Sequence, residues 1–371
     1  MKTIKIEELD KNLAVSDKID APDLKLYDVR RPPFQLYGFY DPQNQPGFKR
    51  MPTEIAQQVN KNVSVLHTNT AGGRVRFATD SPYVAIKAVM KNISISPKIG
   101  MAGRSGFDLY LDSPDGMESL FHLNFVPSVH MTDGYESKVE FYEGGMHYIT
   151  INFPTYNDVC DLYIGVADGS YLGKGAPYRN HAPIVYYGSS ITQGAAASRP
   201  GNTYQAMVSR ALNLDYLNLG FSSGALGEDV MIRYMASLEM SAFVSDYDHN
   251  AESTEHLANT HRKVYEGIRA THPDIPYIIM SRPDFHRMLP LFGGNKQSVE
   301  RREVIMNTLH YAYQNGDTNI YFIDGESLFR QPWGDSATVD GCHPNDLGFY
   351  FMAQAVTEQF RRILRDGKMK L

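Results

Sequence analysis

From Ile184 onward, short apolar runs alternate with helical patterns five times. That alternation restricts the architecture more than any other feature of the chain. The runs are IVYYG (Ile184–Gly188), DYLNLG (Asp215–Gly220), AFVSDY (Ala242–Tyr247), YIIMS (Tyr277–Ser281) and IYFID (Ile320–Asp324). Each is nearly continuous in apolar residues, as strands buried on both faces are. In TYQAMVSRALNL, Tyr204, Met207, Val208, Ala211 and Leu212 share one helix face. EDVMIRYMASL follows the second run and HRKVYEGIRATH precedes the fourth. SVERREVIMNTLHYAYQNG is expected to start at Ser298 as N-cap and to stop at Gly316, and LGFYFMAQAVTEQFRRILRDG closes the chain. This order predicts a parallel, doubly wound α/β sheet of about five strands. Ligands of such sheets lie outside the carboxyl ends of the strands, so the residues after each strand are where chemistry is to be sought.

The preceding residues follow a different grammar. From about Val63 to Val166 the pattern has period two, the spacing of half-buried strands. Candidate strands are Arg74–Asp80, Tyr83–Met90, Phe107–Ser113, Lys138–Gly144, His147–Phe153 and Asp161–Asp168. Short strands at this spacing predict a β-sandwich of jelly-roll type. TEIAQQVN (Thr53–Asn60) reads as one short helix. DGSYLGKGAPYRNHAP (Asp168–Pro183) has linker composition. The expected division is therefore a sandwich domain over 1–175 and an α/β domain over 176–371.

Several classes are disfavoured by composition. Of 371 residues, 36 are Lys or Arg and 42 are Asp or Glu, a net charge of −6 without a basic run, which argues against a nucleic-acid partner. No apolar stretch approaches the ~18 residues of a membrane span. The N-terminal MKTIKIEELDKNL lacks the apolar core of a secretory signal, so a cytoplasmic location is expected. Two cysteines, Cys160 and Cys342, are too few for a disulfide framework and read as free thiols. His67, His122, His130 and His147 are scattered without metal-ligand spacing.

The strand ends hold an inventory for acyl transfer. After the first strand come Gly188, Ser189 and Ser190; after the second, Gly220, Phe221, Ser222, Ser223 and Gly224; after the third, Asp248, His249 and Asn250. DGCHPND (Asp340–Asp346) precedes the last helix. A serine is a weak nucleophile without an adjacent base. His343 can take the Ser190 proton if Asp340 holds the far ring nitrogen. Donors for a tetrahedral oxyanion are Ser190 N–H, an N–H of Ser223 or Gly224, and the Asn250 side-chain amide; losing one such donor typically costs about 3 kcal/mol of barrier. Further pocket walls are sought in Arg199 and Asn202, after the nucleophile turn, in Asp284, after the fourth strand, and in His249.

At these residues the chain resembles the SGNH (GDSL-like) esterase and acylhydrolase family. Gly188-Ser189-Ser190-Ile191-Thr192 matches the first block, Gly-Asp-Ser-x-Ser/Thr, NLGFSSG (Asn218–Gly224) the second, and Asp340-Gly341-Cys342-His343 the terminal Asp-x-x-His. Asn250 falls where the third block keeps its asparagine. GFDLY (Gly106–Tyr110) is similar to the Gly-x-Asp-Leu-Tyr signature of a β-sandwich that precedes some SGNH esterases. The resemblance implies a flavodoxin-like three-layer domain, Ser190, His343 and Asp340 as triad, an oxyanion hole that includes Asn250, and no metal or organic cofactor. Ser189 replaces the usual aspartate, Ser223 stands where the second block usually has glycine, and the third block reads Asp-His-Asn-Ala. Two-domain relatives resemble carbohydrate O-acetylesterases, so the expected substrate is a small acyl ester, acetyl first, on a sugar or other polyol. An acyltransferase using the same triad is the alternative. A non-enzymatic carbohydrate-binding protein would be indifferent to loss of Ser190. A metal-dependent phosphatase would draw on Asp246, Asp248, His249, His256 and His261, but His256 and His261, five apart, do not share a helix face.

Overall fold

The structure is a computed structural model that describes residues 6–11, 14–15, 19–93, 96–283 and 296–371. Ten strands come from the first half: β1 (Leu24–Asp28), β2 (Gln35–Tyr37), β3 (Arg74–Thr79), β4 (Tyr83–Lys91), β5 (Phe107–Asp112), β6 (Ser119–Phe125), β7 (Gly134–Glu140), β8 (His147–Asn152), β9 (Asp158–Ala167) and β10 (Leu172–Lys174). One antiparallel sheet has the order β1-β9-β4-β7, the other β10-β3-β8-β5-β6, with β2 paired to β3. Alternate residues of both sheets, among them Val84, Ile86, Ile164, Val75, Phe77, Leu109 and Ile151, meet in one core. Period two in the sequence is thus the inward face of a sandwich.

Five strands form the second half: β11 (Ile184–Gly188), β12 (Tyr216–Gly220), β13 (Ala242–Asp246), β14 (Tyr277–Met280) and β15 (Ile320–Ile323). All neighbours are parallel, in the order β12-β11-β13-β14-β15. This is the flavodoxin-like order, with the topological switch between β11 and β13. Ile184 and Tyr186 face one apolar layer, with the helices Tyr204–Leu212 and Asp346–Arg365. Val185 and Tyr187 face the other, with Asp229–Ala236, Thr254–Thr271 and Lys296–Gln314. Burial on both sides explains the unbroken apolar runs. Among the described residues no helix is long and apolar enough to cross a membrane.

Several expectations need correction. Strand β7 ends at Glu140, not Gly144, because its partner β4 begins at Tyr83, directly after Pro82, and Phe141 N–H closes the ladder on Pro82 O at 3.0 Å. β10 lies inside the stretch expected to be linker and pairs with β3. Ser298 is not a cap. It sits within the helix Lys296–Gln314, buried, and its hydroxyl accepts from Arg282 Nε at 2.8 Å.

Packing also crosses the expected boundary at 175. Met51, Ala56 and Val63 are buried in the same core as Val185, Leu219 and Phe221, and the helix Thr53–Val59 lies against Asp229–Ala236. Arg50 anchors this arrangement. Fully buried, it donates from Nε to Asn69 O (2.7 Å), from Nη2 to Leu66 O (2.7 Å), and from Nη1 to Asn218 O (3.0 Å) and Gly220 O (2.5 Å). β12 is an edge strand, and a buried edge must find partners for its backbone groups. One guanidinium from the first half satisfies two of them.

Candidate active site

The turn after β11 is built by three small residues. At Gly188 an added Cβ would lie 2.0 Å from Thr192 Oγ1 and 2.4 Å from Asp246 O, so no side chain fits. Ser189 is the N-cap of the helix Ser190–Gln193, its hydroxyl accepting from Ile191 N at 3.1 Å. The position where the family usually has aspartate therefore serves the backbone here. Ser190 is the first helical residue. Beneath it Thr192 Oγ1 and Tyr204 OH both donate to Asp246 Oδ2, at 3.1 and 3.0 Å. Burial pushes the Asp246 carboxyl up to about 7, against the lowering effect of those two donors.

The Asp-Gly-Cys-His loop closes on itself. Asp340 Oδ1 accepts from Cys342 N (3.1 Å) and His343 N (2.9 Å), and Gly341 takes a positive φ of 80°. The ring meets both carboxylate oxygens: His343 Nδ1 donates to Oδ2 at 3.0 Å and lies 3.2 Å from Oδ1, and Ser190 Oγ lies 3.0 Å from His343 Nε2. The network assigns the proton to Nδ1 and leaves Nε2 to accept from the serine. Burial raises the Asp340 carboxyl, but His343 N–H, the Lys98 ammonium and the His343 ring outweigh it and hold the acid well below the usual carboxylate range. Alcohol, imidazole and carboxylate stand in hydrogen-bonding sequence, the geometry that activates a serine for acyl transfer.

Around Ser190, Phe221 joins the other blocks. Its N–H donates to Gly188 O at 2.9 Å, and its carbonyl accepts from Asn250 Nδ2 at 2.8 Å and from Gly224 N at 2.9 Å. Gly224 N–H is thereby committed within the turn. Ser223 has φ 51°, the left-handed conformation that favours glycine, as expected of a residue in the family's glycine position. Asn62 Nδ2 donates to Ser223 O at 2.8 Å and Asn60 Nδ2 to Gly224 O at 2.9 Å, so the first half also fixes this turn.

Two candidate pocket walls are turned to other work. Arg199 Nη1 donates to Asp108 Oδ2 (3.3 Å) and to Tyr110 OH, with the guanidinium 3.8 Å from the Phe121 ring centroid. Asp108 Oδ2 also accepts from Gly201 N at 2.8 Å, and Asp108 Oδ1 from Asn152 Nδ2 at 2.8 Å. Asp108 and Tyr110 of GFDLY, read in sequence only as a signature, thus tie the sandwich to the segment after the nucleophile helix. Asn202 Nδ2 donates to Ser198 Oγ (3.2 Å) and Asp346 Oδ2 (2.7 Å), bracing the start of the last helix. His249 Nδ1 lies 3.9 Å from Cys342 Sγ, beside the His343 loop. Asp284 lies outside the described residues. The residues proposed for a metal site have separate duties: His256 meets Leu226 O, His261 meets Thr308, and Asp248 pairs with Arg301.

Sequence reasoning missed the contributions of the first half. Lys98 Nζ lies 2.9 Å from Asp340 Oδ2, and Tyr156 OH lies 3.4 Å from Ser190 O. No local pattern marks residues whose partners lie so far along the chain.

Residues 181–361 match the GDSL-like lipase/acylhydrolase family, and residues 24–172 match the family described as the N-terminus of SGNH-hydrolase-type esterases. With both matched in tandem, the chain belongs to the SGNH (GDSL-like) acylhydrolases and is a carboxylic ester hydrolase. Among solved structures it is similar to a GDSL-like lipase from Bacteroides ovatus, with 26% identity over 94% of this chain and 99% of that one and a TM-score of 0.81. The fold is shared with the salicylyl-acyltransferase SsfX3 from a tetracycline biosynthetic pathway (20% identity, 93% and 98% coverage, TM-score 0.71). It is shared too with a family two carbohydrate esterase from Clostridium thermocellum, solved with cellohexaose (15%, 89% and 99%, 0.60). A comparison with curated proteins gives no match.

Proposed function

We propose that the chain is a serine esterase that removes a small acyl group, acetyl first among them, from a carbohydrate. Ser190 is the nucleophile, His343 the general base and Asp340 its partner, with 1–175 and 176–371 acting together as two domains. The observation that carries this reading is the relay Ser190 Oγ, His343 Nε2, His343 Nδ1, Asp340 Oδ2, with 3.0 Å at both links. Ser190 Oγ attacks the acyl carbonyl while its proton passes to Nε2. The oxyanion is met by Ser190 N–H, Ser223 N–H and the Asn250 amide. Collapse expels the sugar hydroxyl, which takes the proton from His343. Water, deprotonated by the same nitrogen, then releases the acid. The carbohydrate part of the reading draws support from the fold shared with the cellohexaose-bound esterase.

Rates on p-nitrophenyl acetate, butyrate and octanoate test the proposal, together with acetate release from acetylated oligosaccharides. Acetate is expected to be fastest; a folded sample that turns over none of them overturns the reading. The kcat/KM profile supplies a second expectation. A carboxyl depressed in the folded state keeps its ionised contacts above its unfolded value and loses them only as pH falls through the folded one. Asp340 is held well down, so it stays charged through the range in which an imidazole titrates and should add no proton to the acid limb. Asp246, pushed up to about 7 beneath the nucleophile turn, titrates in that range, so Asp246→Asn should leave a one-proton limb; a second proton that persists in that variant would contradict this.

An acyltransferase is the second reading, favoured by the fold shared with SsfX3. The same relay would serve, with an alcohol in place of water. Product analysis with and without sugar acceptors separates the two.

A further inference from the structure

We infer that Lys98, supplied by the first half of the chain, is a positioning residue of the Ser190–His343–Asp340 relay; the inference rests on the serine-esterase reading above. The Lys98 ammonium lies 2.9 Å from Asp340 Oδ2, the oxygen that also accepts from His343 Nδ1 at 3.0 Å. The other carboxylate oxygen is held by two backbone N–H groups, of Cys342 and His343. Among the described residues Lys98 is the one side-chain cation paired with this acid apart from His343 itself. Its side chain is 64% exposed against 16% for Asp340. So exposed a pair adds little to stability, and its effect falls on the charge balance of the relay.

The loop that carries Lys98 is pinned against the nucleophile segment. Thr155 donates to Gly103 O from both N (3.2 Å) and Oγ1 (3.0 Å), and Gln193 Nε2 donates to Thr155 O at 3.2 Å. Gly103 approaches so closely that a Cβ there would lie 2.1 Å from Ala197 O. Lys98 stands three residues before the short helix Met101–Arg104 that these contacts hold.

Electrostatics gives the contact a direction. The imidazole becomes cationic as the serine attacks. Asp340 favours that charge and Lys98, on the same oxygen, opposes it. Lys98 thus holds Oδ2 in place beside the ring. The other titratable groups around the relay are Cys342 on the same loop, His249, whose Nδ1 lies 3.9 Å from Cys342 Sγ, and the buried Asp246 beneath the Ser190 turn. Removing the ammonium lets the imidazole retain its proton to higher pH.

The test uses the full chain with Lys98→Met and Lys98→Arg. The rate of phosphonylation of Ser190 by a fluorophosphonate is followed across the range in which imidazole titrates, and the His343 ring is titrated by ¹⁵N NMR. Lys98→Met should move the half-point of labelling upward by about half a pH unit, roughly a threefold slowing on the acid limb, with little change on the plateau. Lys98→Arg should restore the half-point, and the ring titration should move in parallel. An unchanged half-point in Lys98→Met, a loss equal at every pH, or failure of Lys98→Arg to restore would overturn the inference. A wild-type chain whose Ser190 is not labelled would sink the esterase reading, and the ring titration would still decide the role of Lys98.

Discussion

Ser190→Ala should lower ester turnover by about 10⁵- to 10⁶-fold, the scale on which serine relays fail when the nucleophile is removed. The fold should be untouched. Ser190 is not the helix cap; Ser189 is, through its bond to Ile191 N at 3.1 Å. Alanine is at ease at a first helical position. Ser190 Oγ has His343 Nε2 as its hydrogen-bond partner, at 3.0 Å, and the ring remains held from its far side by Asp340. Initial rates on p-nitrophenyl acetate and a thermal melt check both halves of this expectation. Residual activity of more than about one part in a hundred would mean that another group attacks the ester.

Arg50→Ala is expected to be the most damaging change outside the relay. The guanidinium serves four backbone carbonyls, two of them on the outer edge of β12, and lies 4.4 Å from the Phe221 ring centroid. Truncation leaves those carbonyls buried without partners and opens a cavity beside the turn that holds Ser223. A loss of about 3–5 kcal/mol follows from the usual cost of breaking a buried, charged hydrogen-bond network. For a chain of this size that is roughly a 4–6 °C fall in Tm. Activity should fall even well below the melt, because Asn218 O and Gly220 O precede the oxyanion turn directly. A melt unchanged within about 1 °C would show that water replaces the guanidinium without penalty.

The second half was the more legible. Its strands are buried on both faces, so their apolar runs stand out, and the relay was readable because each member follows a strand or opens a helix. The rule that function collects at carboxyl ends brought Ser190 forward as a candidate, and the Asp-x-x-His spacing before the last helix did so for the Asp340–His343 pair. In the first half the strands missed were those with weak apolar alternation: β1, β6 and β10 lie at sheet edges and β2 pairs with β3 alone. The hydrogen-bond partners of Arg199 and Asn202 could not be read from the sequence, because position after the nucleophile helix says nothing of direction. Their partners, Asp108, Tyr110 and Asp346, lie about ninety to one hundred and fifty residues away. Arg50, Asn60, Asn62, Lys98 and Tyr156 gave no local signal, since each is defined by a contact made only after the two halves meet.

The crossing of Met51, Ala56 and Val63 into the apolar layer of the parallel sheet bears on how this enzyme can be divided. A fragment cut in the glycine- and proline-rich segment before Ile184 would keep every residue of the relay, yet lose the cover of one sheet edge and the guanidinium that completes it. The smallest competent unit therefore reaches back at least to Arg50.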